Sequence, residues 1–193
     1  MEQSLFRKMS WMKLTSNWRK EIGTIPNLLS IFRVVLLPFY FYFVLEQSFM
    51  LAGILIALSG ITDFLDGFIA RKFNQITELG KLLDPVADKL TQLVLILSMA
   101  WYRPMIWWIF GLFLIKEGFM FFAGIIGLRK NVKLDGAKWY GKLATAVIYA
   151  GMVLLLLFPE LPAIWVNWIF GLITYSLLQS FVLYIREYHK LLN

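Results

Sequence analysis

The sequence predicts an all-α protein: a polytopic membrane helix bundle with six transmembrane helices and an N-terminal interfacial amphipathic helix. Three observations carry that expectation. Of the 193 residues, 60% are hydrophobic, and apolar runs of about 20 residues, long enough to span a bilayer, recur along the whole chain. No alternating period-2 pattern appears, and a backbone in lipid must satisfy its own hydrogen bonds, so helices are the spanning element. Lysine and arginine gather in every second connection, as they do in multi-pass proteins with one basic side.

Residues 1–22 (MEQSLFRKMSWMKLTSNWRKEI) form a juxtamembrane segment ahead of a transmembrane domain over 23–193. Basic residues run throughout it, and no continuous apolar core precedes a small-residue cleavage site, so it does not read as a signal peptide. Leu5, Phe6, Met9, Trp11, Met12, Leu14 and Trp18 interleave with five basic residues, the pattern of a helix lying in the interface. A disordered basic arm is the alternative on composition.

The six spans are expected at 27–45, 49–70, 82–101, 104–128, 138–158 and 163–185. The first starts behind Ile25-Pro26, since proline suits a first helical turn. Gln47 and Ser48 separate the first pair, and Pro104, Pro159 and Pro162 mark later turns. Gly53, Ala57, Gly60, Ala123 and Gly127 are small enough for close helix approach. No internal repeat and no separate soluble domain is visible.

Basic residues at the termini, at Arg71, Lys72 and Lys81, and from Arg129 to Lys142 fall on one side of this layout, leaving Arg103 alone on the other. The positive-inside rule then puts both termini and the 63–88 segment on the cytoplasmic face of the cell membrane. The net charge of +7 is thereby a topology and anionic-lipid signal rather than a nucleic-acid footprint. Without cysteine, disulfides, thiolate catalysis and cysteine-held zinc or iron–sulfur sites are excluded. The single His189 leaves no histidine triad. Trp101, Tyr102, Trp107, Trp108, Trp165 and Trp168 sit at outer span ends, with Trp139 and Tyr140 at an inner one, as interfacial belts.

Against this apolar background stand Asp63, Asp66, Asp84 and Asp88. A carboxylate at a helix centre in a bilayer costs about 2.5–3.5 kcal/mol, and clustered like charges disfavour one another. Asp63 and Asp66 are three apart and Asp84 and Asp88 four apart, so each pair shares a helix face. Ala70 continues the first face and Gly67 borders it, leaving room for a ligand. Four carboxylates from two facing helices suit hard divalent cations, and Arg71 and Lys81 beside them suit a phosphorylated substrate. The plainer alternative is capping and pairing with Arg71, Lys72, Lys81 and Lys89. Asp84-Pro85 has the form of an N-cap followed by proline, but capping accounts for one aspartate, not four.

The run Asp63-x-x-Asp66-Gly67-x-x-Ala70-Arg71, followed by Gly80-x-x-x-Asp84-x-x-x-Asp88, resembles the signature of the CDP-alcohol phosphatidyltransferases. Pro26-Asn27-Leu28-Leu29-Ser30-Ile31-Phe32-Arg33 is similar to the family's first-helix pattern, with serine where threonine is commoner. The resemblance covers about residues 25 to 185. It implies that Asp63, Asp66 and Asp84 bind two divalent cations, Mg²⁺ or Mn²⁺. Asp88 would complete the metal set and act as general base. Gly67, Ala70, Arg71 and Gly80 would shape the CDP pocket, with Asn27 at its border. The implied reaction moves a phosphatidyl group from CDP-diacylglycerol to the hydroxyl of a glycerol-containing acceptor and releases CMP. A homodimer is implied as well, in the anionic membrane that the basic residues favour.

Lys81, Lys116, Arg129 and Lys142 are the candidate acceptor-binding residues. Lys116-Glu117 lies inside the fourth span, where an ionisable pair is a functional hypothesis by default; a helix-packing ion pair is the alternative. Lys116-Glu117 stands where the phosphatidylglycerophosphate synthases of the family usually carry Arg-Glu. Their further cations are replaced here by Gly124 and Ala144, the latter within Gly141-Lys142-Leu143-Ala144-Thr145. The layout and the first helix favour glycerol-3-phosphate as acceptor. The missing cations favour phosphatidylglycerol, the acceptor of a CMP-forming cardiolipin synthase, because such groups recognise a doubly charged phosphate. Inositol phosphate or serine comes third. A cation transporter or inactive scaffold is the non-enzyme alternative, but a transporter favours mid-bilayer carboxylates and broken helices.

Overall fold

A computed structural model describes residues 21–129 and 138–192. The expected interfacial helix lies outside the described residues except for Glu21 and Ile22, as do Lys130 and Lys133 and the side chain of Arg129. The described chain is helical: α1 (Ile25–Leu45), α2 (Phe49–Lys72), α3 (Gly80–Tyr102), a 3-10 turn (Pro104–Ile106), α4 (Trp107–Arg129), α5 (Trp139–Leu157) and α6 (Ala163–Leu192). Five stretches, Ile25–Leu45, Phe49–Lys72, Pro104–Gly127, Trp139–Leu157 and Ala163–Lys190, are long and apolar enough to cross a membrane. This is a multi-pass membrane protein. Helix α3 has 23 residues but is less apolar, because Lys81, Asp84, Asp88 and Lys89 lie in its first half.

The chain groups into two compact units that divide between Val94 and Leu95. In the first, α1 packs against α2. The buried positions of α1 (Asn27, Ser30, Arg33, Leu37, Tyr40, Val44) and of α2 (Ala52, Ile56, Ser59, Thr62, Asp66) recur every three or four residues, one stripe per helix. Each stripe is polar at one end and apolar at the other. Because the hairpin is antiparallel, the polar start of α1 meets the polar end of α2.

Both helices stop by the same device. Gln47 (φ 57°) and Asn74 (φ 52°) take the left-handed conformation. The amide of Ser48 then returns to the carbonyl of Phe43 (2.9 Å) and that of Gln75 to Ala70 (3.0 Å), the bonding of a Schellman ending. Pro104, Pro159 and Pro162 stand at helix boundaries, as expected, while two other prolines do not. Pro38 lies inside α1 and Pro85 inside α3. Asp84 therefore does not cap the helix, which was the plainer alternative for it. Thr77 does that work, its Oγ1 accepting the amide of Gly80 at 2.9 Å, so α3 starts earlier.

In the second unit, α4 and α5 pack against α6. A Cβ on Gly141 would lie 2.3 Å from the Tyr184 hydroxyl, and one on Gly151 would lie 2.6 Å from Ile173 Cδ1, so both glycines allow close helix approach. Gly60, expected in that role, faces open space. Arg103 donates to the Pro159 carbonyl and ties two connections of this unit together.

Candidate functional site

The polar ends of α1 and α2 and the first turns of α3 build one cluster. Arg33, 1% exposed, reaches from α1 into the carboxylates. Its Nη1 lies 2.6 Å from Asp63 Oδ1 and 2.5 Å from Asp88 Oδ1, and its Nη2 pairs with Asp66 Oδ2. Ser30, one helical turn before Arg33, donates to Asp84 Oδ1 at 2.7 Å and lies 3.3 Å from Asp66 Oδ2. The four aspartates of the sequence pattern thus meet on two side chains of a third helix. Four carboxylates against one guanidinium leave three negative charges uncompensated among these groups. Asp66 is sealed, with a side chain 4% exposed, while those of Asp63 and Asp88 are 51% and 45% exposed.

A second network fixes where α3 begins. Asn27 Nδ2 donates to Thr77 Oγ1 at 3.0 Å and to the Glu21 carbonyl at 2.8 Å, and the Leu79 amide donates to Glu21 Oε2 at 3.0 Å. A Cβ on Gly80 would stand 2.7 Å from Asn27 Oδ1 and 3.0 Å from Thr77 Oγ1. Glycine is needed there for that close approach. Asn27 is buried and ties the start of α1 to the connection before α3.

Gly67 leaves room for Arg71, whose Nη1 would stand 3.4 Å from an added Cβ; Ala70 is half-buried and Arg71 exposed. Lys81 pairs with Glu78 at 2.6 Å on the surface. In the second unit, Lys116 is buried, 2.7 Å from Glu117 Oε1 of its own helix and 5.9 Å from the Tyr184 ring centre. Lys142 is exposed.

Among the described residues, no three acidic side chains stand as a ready coordination shell. The point on which they converge is the Arg33 guanidinium. The donors nonetheless fit divalent cations: all are carboxylate or hydroxyl oxygens, the hard ligands that Mg²⁺ and Mn²⁺ take, and the local charge is in deficit. Arg33 Nε is buried without a hydrogen-bond partner, so the surroundings do not fully satisfy the guanidinium.

Sequence reasoning did not bring Arg33 and Ser30 into the site. The signal was present, since an arginine inside an apolar span is a functional candidate by default, and Ser30 is three residues away on the same face.

Residues 23–178 match the family model described as CDP-alcohol phosphatidyltransferase. The chain is 40% identical over 110 residues to a CDP-diacylglycerol–glycerol-3-phosphate 3-phosphatidyltransferase of Aquifex aeolicus, covering 49% of this chain and 62% of that protein. It is 34% identical over 156 residues to the protein of the same name in Shigella flexneri, covering 75% and 81%. It is 35% identical over 140 residues to a CMP-forming cardiolipin synthase of Streptomyces coelicolor, covering 69% and 65%. The chain thus spans slightly less than two thirds of the Aquifex and Streptomyces proteins.

Proposed function

The chain belongs to the CDP-alcohol phosphatidyltransferase family, and from that premise we propose that it transfers a phosphatidyl group from CDP-diacylglycerol to a hydroxyl of glycerol-3-phosphate, releasing CMP. The observation that carries this reading is the convergence of Asp63, Asp66, Asp84 and Asp88 on Arg33 and Ser30. The enzyme is a homodimer of the cell membrane with both termini and the site on the cytoplasmic side. Lipid tails stay in the bilayer there while the nucleotide meets water.

Asp63, Asp66 and Asp84 hold two divalent cations, Mg²⁺ or Mn²⁺, with Asp88 completing the set. When bound, the cations neutralise charge on the diphosphate and favour in-line displacement. The chain's own groups do the rest. Asp66, buried under Ser30 and Arg33, keeps its orientation. Asp88, open to solvent on one side, takes the proton of the acceptor hydroxyl as that oxygen bonds to the phosphorus bearing the diacylglycerol. The bond from this phosphorus to the CMP oxygen breaks. Gly67, Ala70, Arg71 and Gly80 border the nucleotide, with Asn27 setting the position of Gly80. Lys81, Lys116, Arg129 and Lys142 are the candidate contacts to the acceptor.

Phosphatidylglycerol as acceptor is the second reading. It is favoured by the engagement of Lys116 with Glu117 and by uncharged Gly124 and Ala144. The test offers purified protein labelled CDP-diacylglycerol and Mn²⁺ or Mg²⁺, with each acceptor in a separate tube. Product from glycerol-3-phosphate is expected; product from phosphatidylglycerol alone would replace the first reading by the second. Asp88→Asn should abolish CMP release while the protein still elutes as a single species in detergent, and full activity in that variant would remove Asp88 as base.

A further inference from the structure

We infer that Arg33 is an internal counterion that competes with divalent cations for the carboxylates of Asp63, Asp66 and Asp88. This rests on the reading that these aspartates bind such cations. The oxygens a cation needs are the ones the guanidinium holds: Asp63 Oδ1, Asp66 Oδ2 and Asp88 Oδ1. One nitrogen, Nη1, takes two of them within 2.6 Å, so a cation on either oxygen meets a positive charge in contact with it. Guanidinium and cation therefore oppose each other on charge and on space alike.

Two features make Arg33 displaceable rather than a permanent prop. A guanidinium has five N–H donors, and its Nε–H is buried without a partner, so leaving the cluster does not forfeit a fully satisfied site. Arg33 also belongs to α1, whereas the carboxylates belong to α2 and α3. Its flexible side chain can withdraw without moving the helices that carry them. Ser30 continues to hold Asp84 when it does. Once the guanidinium has withdrawn, two divalent cations balance four carboxylates in full.

The experiment is Mn²⁺ titration of the substrate-free protein in detergent, read by calorimetry and by thermal unfolding. It compares the parent chain, Arg33→Gln, Arg33→Lys and the double variant Asp63→Asn/Asp66→Asn. Arg33→Gln should bind Mn²⁺ at least about tenfold more tightly than the parent, as removal of a contacting charge requires. Arg33→Lys, which keeps the charge but loses the fork that bridges carboxylates, should fall between them. In EDTA, Arg33→Gln should melt below the parent, and Mn²⁺ should raise its Tm by more. Affinity equal to or weaker than the parent's in Arg33→Gln overturns the inference; if that variant does not fold, the same result in Arg33→Lys does so. A parent chain that binds Mn²⁺ no better than the double aspartate variant overturns the metal reading and this inference together.

Discussion

Asp63 and Asp66 share one guanidinium but not one environment. Asp66 and Arg33 are both sealed, while half of the Asp63 side chain is exposed. Breaking a buried pair strands a charge and costs about 3–5 kcal/mol, whereas an exposed partner is screened and contributes about 1 kcal/mol or less. Asp66→Ala should therefore lower the Tm in EDTA well below that of Asp63→Ala, although both variants lose transferase activity. Equal losses of Tm would show that burial does not separate the two carboxylates. All four aspartates were legible in the sequence because spacing within a helix fixes a shared face. Arg33 and Ser30 lie 30 or more residues from the nearest aspartate that they touch. Periodicity relates residues along one helix and is silent on which third helix faces them.

The same limit holds for elements. Helix existence followed from apolar length, and the first two spans end where their polar interruptions stand. The start of α3 did not, because two cap signals compete there and tertiary contacts choose between them. Thr77 caps α3 while accepting from Asn27, fifty residues away, and that link sets the start at Gly80, two residues before the expected 82 and four before Asp84. Gly80→Ala tests how firmly this start is held. Its Cβ would stand 2.7 Å from Asn27 Oδ1, so α3 must shift or the Asn27–Thr77 bond must break. Overpacking of this kind costs about 1–3 kcal/mol. Because Asp84 and Asp88 ride on the following turns, a shift of about 1 Å can cost on the order of a hundredfold in rate. The variant should lose activity at saturating substrate by at least about tenfold and melt below the parent. A Gly80→Ala protein as active and as stable as the parent would show that α3 is free to slide.

For the molecule as a whole, the open question of topology reduces to α3. Its 23 residues reach about 34 Å at 1.5 Å per residue, enough for a hydrocarbon core of about 30 Å. Its charged first half is what makes it less apolar than the other five candidate spans. If α3 crosses, Arg71, Lys72, Lys81, Arg129, Lys138, Lys142 and Lys190 share one side, with Arg103 on the other. If it does not, the basic residues from Arg129 to Lys142 fall opposite Arg71 and Lys72, against the charge rule. The absence of cysteine allows single-cysteine mapping on an otherwise unreactive chain. Glu78→Cys and Glu160→Cys replace exposed residues in connections, and Lys190→Cys an exposed residue in the last turn of α6. Labelling whole cells with a membrane-impermeant maleimide should modify Glu160→Cys alone, with the other two reacting only after lysis. Glu78→Cys and Glu160→Cys behaving alike, with Lys190→Cys opposite, would mean that α3 stays on one side. That result would leave five spans and reverse the orientation proposed for the second half of the chain.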